Sequence, residues 1–385
     1  MSFTFWIFLY TLAVFFLTYS LDIQRKKQFL LVLVLPVLIY IHSFIDVNTV
    51  VDLPNYNKSF HDVASVNVFN PIDINRFAKL HKEEYGFICM LKIVRLITDD
   101  FHVFLCLNSC ILLGLYTYTI LKYSDNIYIS VLLLLLVVFD QSLFVLRQHL
   151  SISILCLSIP YIMNRKIVPF LVILSIAFLF HKSSLIWLAV YFIYGAKNPW
   201  KILCVLGGVT IGLSLIFSHL SYLNEVFSLG YSSYIDGTKS GTSNLVAFFL
   251  SLFFLLSYSY VCRDKLLEDS FLKYCFISLF IWVMMSIVGT NVLMLSRFTL
   301  VFQTSLFFVV PIVFHTFKIL DLRLLYLGIS LACFVYSNYF GSFSVYLKKT
   351  ELFIVSPMQM LYFGLLASFT IYLLFHYTQK KDMLE

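Results

Sequence analysis

Charged side chains are scarce in this sequence. Of 385 residues only 27 are Lys or Arg and 20 are Asp or Glu, 12% together, about half the share that a water-soluble surface needs. A soluble fold is excluded, because 61% hydrophobic content is more than one core of this length can hide. The net charge of +7 is spread thinly, with no basic cluster of the kind a nucleic-acid binder needs, and the high hydrophobicity excludes disorder. Glycine is also scarce, 13 in all. There is no G-x-x-x-x-G-K-[ST], G-x-G-x-x-G or H-E-x-x-H, so neither a nucleotide-hydrolysing motor nor a zinc protease is indicated. The eight cysteines (Cys89, Cys106, Cys110, Cys156, Cys204, Cys262, Cys275 and Cys333) include no C-x-x-C pair. Most lie in apolar runs and read as small buried hydrophobes. No D-x-D pair stands on the segments expected outside, and neither a metal nor a cofactor is expected.

What the chain has is a succession of apolar runs. A hydrocarbon core about 30 Å thick needs roughly 20 apolar residues of helix, and thirteen candidate spans, with a range of 12–14, read between the polar breaks. They run at about 3–20, 29–45, 101–121, 127–144, 147–163, 167–180, 182–196, 200–218, 244–262, 271–289, 297–317, 322–339 and 357–376. The expected fold is all-α, a polytopic membrane protein forming a single integral membrane domain over residues 1–385. The N-terminus is apolar from Phe3 onward with no basic stretch before it, and reads as a retained first span. The segment from Tyr85 to Ile97 carries Lys92 and Arg95, is too short to cross, and reads as interfacial or re-entrant.

Lys and Arg in short loops resist translocation. With Arg25-Lys26-Lys27 placed in the cytoplasm and the spans alternating, fifteen of the 27 basic residues fall on that side, Arg165 and Lys273 among them, and twelve fall outside. Four of those twelve, Lys58, Arg76, Lys79 and Lys82, share one long loop of a kind that translocates despite its charge. The expected topology is N-out and C-in, with outer-face loops at 46–84, 218–243 and 340–356.

An ionisable side chain at the edge of a span is costly and therefore a candidate for function. Few qualify. Arg147, followed by Gln148, sits where the fourth span gives way to the fifth, and His181 with Lys182 lies between the sixth and seventh. Arg297 opens the eleventh after an uncharged stretch that begins at Tyr274. In the first outer loop Asp52 with Tyr56 and Glu84 with Tyr85 are the acidic candidates. A lone Arg at a helix end ordinarily snorkels to the headgroups, a lone interfacial His is ordinarily satisfied locally, and Asp52 and Glu84 taken singly are ordinary loop charges. Taken together, the cations stand at outward-facing helix N-termini, which already favour an anion. Two guanidiniums there would cradle a diphosphate. Tyr231 and Tyr234 of the second outer loop are candidates for stacking on sugars.

These residues carry a resemblance. The stretch from Phe144 to Leu188, with Arg147-Gln148 opening a helix, a basic turn at Asn164-Arg165-Lys166 and then Phe180-His181-Lys182-Ser183-Ser184-Leu185, resembles the EpsG family of Wzy-like polysaccharide polymerases. So do Asp52-x-x-x-Tyr56, Glu84-Tyr85-Gly86-Phe87 and Ser296-Arg297-Phe298. The resemblance runs from about residue 50 to 315. It implies a multi-pass protein of the bacterial inner membrane, of the GT-C-type class of lipid-linked-sugar glycosyltransferases, with its site facing the periplasm. Such an enzyme transfers a growing glycan from undecaprenyl diphosphate to the non-reducing end of an incoming lipid-linked repeat unit, in O-antigen or capsule assembly. The partners implied are the undecaprenyl-diphosphate-linked oligosaccharide, membrane lipid, a chain-length regulator and a flippase, with no nucleic acid.

On this reading Arg147, Arg297 and Lys182 bind the donor diphosphate, and His181 is the first choice for the base that takes the acceptor proton, since its ordinary pKa suits neutral pH. Glu84 or Asp52 is the second choice. Gln148, Tyr56, Tyr231 and Tyr234 contact substrate. A diphosphate leaving group needs no general acid, so one base and a cationic clamp suffice. The alternatives are a lipid-linked oligosaccharide flippase, whose charges should line a mid-membrane cavity between repeated halves, and an O-antigen ligase-like transferase.

Overall fold

The computed structural model describes residues 10–15, 18, 26–50, 52–218, 241–266, 268–289, 297–317 and 321–330. Every regular element among them is helical. In chain order these are α1 (Lys26–Ser43), α2 (Leu53–Asp62), α3 (Pro71–His81), α4 (Tyr85–Arg95), α5 (Phe101–Tyr123), α6 (Ile127–Phe144), α7 (Leu146–Cys156), α8 (Ile159–Met163), α9 (Ile167–Phe180), α10 (Trp187–Tyr194), α11 (Pro199–Ser218), α12 (Gly241–Cys262), α13 (Ser270–Gly289) and α14 (Thr299–Thr316). Four helices, α5, α6, α13 and α14, are each long and apolar enough to cross a bilayer. Shorter apolar helices occur at Leu30–Ser43, Ile167–Phe180, Lys182–Tyr194, Pro199–Gly212 and Ala247–Cys262. The apolar helices are those of a membrane protein.

Helix positions follow the apolar runs, with two instructive differences. The span expected at 147–163 is two helices, because Pro160 stands in the first turn of α8, where its fixed φ and missing N–H start a helix but cannot continue one. The first outer segment, read as a loop, is folded. Asp46 caps a 3-10 turn by accepting from the Asn48 N–H, and Asn70 caps α3 by accepting from the Ile72 N–H with Pro71 following it. The 11 residues of α4 extend about 16 Å, well short of a hydrocarbon core. Spans expected at 3–20 and 322–339 are only partly covered by the described residues, and the one at 357–376 lies outside them. Cysteines 106, 110, 156, 262 and 275 are buried as expected, whereas Cys204 is exposed on α11.

The chain forms two compact units. The first comprises Met1–Leu157, Val172–Ser184 and Asn338–Glu385. Its bundle is pinned by polar side chains that lipid would punish if left unpaired. The His42 ring on α1 lies 2.7 Å from Ser109 Oγ on α5 and 2.9 Å from Ser142 Oγ on α6. Tyr116 Oη on α5 is 3.2 Å from His149 Nδ1 on α7, and Ser151 on α7 donates to the Ala177 carbonyl of α9 at 2.9 Å. Within α6, Leu134–Phe139 widens to a π-helical turn that ends at buried Asp140.

The second unit comprises Ser158–Leu171 and Leu185–Ser337. Trp187 is its anchor: 1% exposed, stacked on Phe302 and donating from Nε1 to Ser158 Oγ at 2.8 Å. The Arg165 guanidinium lies over the Tyr191 ring at 4.1 Å, and Lys273 Nζ lies over Tyr194 at 4.7 Å. Lys273 is also within electrostatic reach of Arg165.

Gly86 positions α4. A Cβ there would stand 2.8 Å from Leu179 Cβ and 2.9 Å from the Leu179 carbonyl oxygen of α9, and a backbone oxygen cannot swing aside. Gly86→Ala should therefore lower stability by about 1–3 kcal/mol, read as a drop in thermal unfolding midpoint in detergent. An unchanged midpoint would show that α4 is not seated on α9.

Candidate active site

The acidic and basic candidates converge at the start of α7. Arg147 is the second residue of that helix, and its side chain is 18% exposed. A guanidinium so far out of water needs both a counter-charge and acceptors. It finds them in one short stretch. Nη1 donates to the Lys82 carbonyl at 2.8 Å and forms a close ion pair with Glu84 Oε2. The guanidinium carbon lies 5.7 Å from the centre of the Tyr56 ring and 5.9 Å from that of Phe87, within cation–π range.

Local conformation makes this possible. Lys82 ends α3 in the left-handed region, φ 55 and ψ 42, a costly geometry for a residue with a Cβ. Glu84 occupies the N-cap position of α4 but makes no capping bond. Its carboxylate is spent on Arg147. Tyr56 is buried one turn before Ser59 on α2, and its hydroxyl pKa is raised chiefly by burial, with Asp52 and Glu83 adding to the rise and Arg147 opposing it. Asp52 sits at the N-cap position of α2 without a capping bond, half-buried, and acts on the cluster through Tyr56.

The residue passed over in the sequence is Glu83. It is 7% exposed, and its Oε2 is buried with no hydrogen-bond partner among the described residues. Burial, aided by the Glu84 charge, pushes its carboxyl from the ordinary 4.5 up to about 7, against the opposing pull of Ser59 and Arg147. One guanidinium cannot neutralise two adjacent carboxylates in a dry site, so one of them holds a proton near neutral pH. The signal was present in the sequence as a Glu-Glu pair directly before an apolar helix. Asp140, a lone carboxylate inside an apolar run and 8% exposed, was also passed over.

The other candidates are placed differently. Gln148 follows Arg147 around α7 and is 1% exposed inside the bundle, so it does not stand at an open rim. His181 lies just after α9. Its Nδ1 accepts from the Ser183 N–H at 3.2 Å and is 2.6 Å from Ser183 Oγ. Nδ1 is thereby engaged within its own turn. Lys182 is exposed at the start of a 3-10 turn, Lys182–Ile186. Arg297 belongs to the second unit and is exposed just before α14. Tyr231 and Tyr234 lie outside the described residues. Among the described residues no three His, Cys, Asp or Glu side chains gather to hold a metal ion.

A carboxyl whose folded pKa is raised takes up a proton on folding. Its stabilising contribution is full below the unfolded value of 4.5 and is lost as pH rises through about 7. Glu83→Gln should therefore be the more stable protein above pH 7, by about 3 kcal/mol, with the two unfolding midpoints converging as pH falls toward 4.5. Parallel midpoints across that range would show that Glu83 is not buried as described.

A family model described as the EpsG family matches residues 28–346. No curated protein and no solved structure matches the chain. The matched region runs from α1 through α14 and takes in Glu83, Glu84, Arg147, His181 and Arg297, and with most of its length covered the chain belongs to the EpsG family.

Proposed function

We propose that the protein is a polysaccharide polymerase of the bacterial inner membrane. It joins repeat units carried on undecaprenyl diphosphate, transferring the growing glycan to the non-reducing end of the incoming lipid-linked unit on the periplasmic face. Family membership supports a polymerase-like role. The observation that carries the reaction is the pairing of Arg147 with Glu84 beside a second carboxyl, Glu83, that is poised near neutrality.

The attacking group is a sugar hydroxyl and the leaving group a diphosphate, so the protein has one proton to remove and one developing negative charge to stabilise. Glu83 is the base in this reading. A carboxyl with a pKa of about 7 matches the working pH far better than an ordinary one. His181 is less suited, because its acceptor nitrogen is engaged by Ser183, and it serves instead as an Nε2–H donor toward phosphate beside Lys182. Arg147 fixes Glu84 through their ion pair, and Glu84 in turn orients the acceptor. Arg297, exposed before α14, is proposed as a further phosphate-binding cation.

The test is polymerisation by purified protein in liposomes, using lipid-linked repeat isolated from a strain deleted for this chain. Glu83→Gln and Arg147→Lys should each slow the appearance of the product ladder by about 100-fold or more, with the protein still folded. A ladder undiminished by both would overturn the assignment. In cells, deletion of a polymerase leaves single repeat units on the surface, whereas deletion of a flippase leaves none.

A further inference from the structure

A base that takes a proton in every cycle must also lose it, and Glu83 is 7% exposed. A second set of neighbours leads outward. Ser59, on α2 and 1% exposed, is the hydroxyl that bonds the Glu83 carboxyl. Ser59 Oγ lies 3.1 Å from His81 Nδ1 at the end of α3 and also 3.1 Å from the Asn55 carbonyl oxygen. Its single proton is therefore shared among three acceptors, the Glu83 carboxylate, the Asn55 carbonyl and His81 Nδ1. On the other edge of the ring, His81 Nε2 lies 3.3 Å from Asp62 Oδ2. The His81 side chain is 8% exposed and that of Asp62 44%. Both line an open cleft of about 530 Å³, whose walls also include His61, Asp73, Arg76 and Phe77.

We infer that Ser59, His81 and Asp62 form a proton relay connecting Glu83 to the water of this cleft. The inference rests on the polymerase reading for the origin of the proton. When the acceptor oxygen bonds to the anomeric carbon, the carbon–oxygen bond to the diphosphate breaks, its electron pair leaves with the phosphate, and the hydroxyl proton passes to Glu83. The Glu83 carboxyl then gives that proton to Ser59 Oγ while the Ser59 hydroxyl gives its own to His81 Nδ1. The imidazolium formed stands beside the Asp62 carboxylate, which takes the Nε2 proton and, being 44% exposed, releases it to cleft water; rotation of the hydroxyl and ring restores the start.

The charges fit. The Asp62 carboxylate, 3.3 Å from Nε2, favours the tautomer with its hydrogen on Nε2, and in that tautomer Nδ1 is the acceptor. Burial, with help from Lys58 and against the pull of Asp62, lowers the His81 pKa, so the ring is neutral and able to accept at the working pH. Arg147 and Glu84 are the other charges that act on Glu83, the first lowering and the second raising its pKa. With Nδ1 on Ser59 and Nε2 buried 3.3 Å from Asp62, the ring is placed to pass a proton on and not to deprotonate a sugar in the cleft. These three are positioning residues for the reaction and touch no reacting atom.

The test uses the full-length protein in liposomes. His81→Ala should slow polymerisation of the lipid-linked repeat about tenfold or more, and imidazole should restore it through the open cleft, where the Phe77 ring, 4.3 Å from that of His81, would stack on it. Rescue by substituted imidazoles should follow their basicity, which a purely structural loss would not. Wild-type rate in His81→Ala, or a slow variant that imidazole leaves slow, overturns the relay. A second measurement needs no substrate. The infrared band of protonated Glu83, taken as wild type minus Glu83→Gln, should titrate near pH 7 and shift upward in Ser59→Ala, because a hydrogen bond to the charged form is lost. An unshifted midpoint removes the first link. Absence of any ladder from the wild-type protein, with the infrared shift intact, would instead overturn the polymerase reading and leave the link standing.

Discussion

A guanidinium at the start of a largely buried helix has to be neutralised and supplied with acceptors, and in this chain nearly everything about the candidate site follows from how Arg147 is held. Its two polar partners, the Lys82 carbonyl and the Glu84 carboxylate, are two residues apart. They can both reach it only because Lys82 adopts a left-handed conformation that ends α3 and turns the next residues back. The rings of Tyr56 and Phe87 complete the surroundings. One side chain thus ties α2, the α3–α4 turn and the start of α7 into one body. Gly86 lets that turn lie against α9 with no intervening side chain.

Fixing Glu84 on Arg147 has a consequence for its neighbour. Successive residues in extended backbone point to opposite sides, and Glu84 has that conformation, with φ −87 and ψ 153. Glu83 is accordingly left in the interior with Ser59 and no guanidinium of its own. A fold selected only for stability would hold an uncharged side chain there, because ionising Glu83 at neutral pH costs about 3 kcal/mol of folding free energy. Positions where a local rule is broken without a structural gain are where function is expected. The neighbouring cost, a residue with a Cβ at positive φ, falls in the same four-residue turn.

Much of the fold was legible because the bilayer permits few solutions: an apolar run of sufficient length has to be a helix, and α1, α5, α6, α13 and α14 lie where the runs do. Arg147, Glu84 and Tyr56 were legible for the complementary reason, since a chain with 12% charge has few candidates to weigh. Ser59, His81, Asp62 and Glu83 were not. They belong to the segment at 46–84, whose helices are short and amphipathic and make no long apolar run. The signals that would have found them are capping ones, Asn70 before Pro71 and Asp46 before a 3-10 turn. The local bond from Ser183 that changes the part His181 can play has no signature beyond two residues of separation. The break between α7 and α8 was visible in Pro160, and apolar content on both sides concealed it.

The arrangement also explains why a single Arg serves where two carboxylates are present. With Glu84 charged and Glu83 protonated, the cluster with Arg147 is neutral. With Glu83 ionised it carries one negative charge. On the proposed polymerase reading the substrate is an anionic lipid-linked diphosphate, so its arrival at this rim would favour the protonated cluster, whereas deprotonation of a sugar hydroxyl would require the ionised one. A base tuned near pH 7 lies between these demands, and small electrostatic changes at the rim can move it either way. Such a base is useful only if it exchanges its proton faster than the chain grows. On the relay inferred above, that exchange runs past Ser59 and His81 toward Asp62 and the cleft.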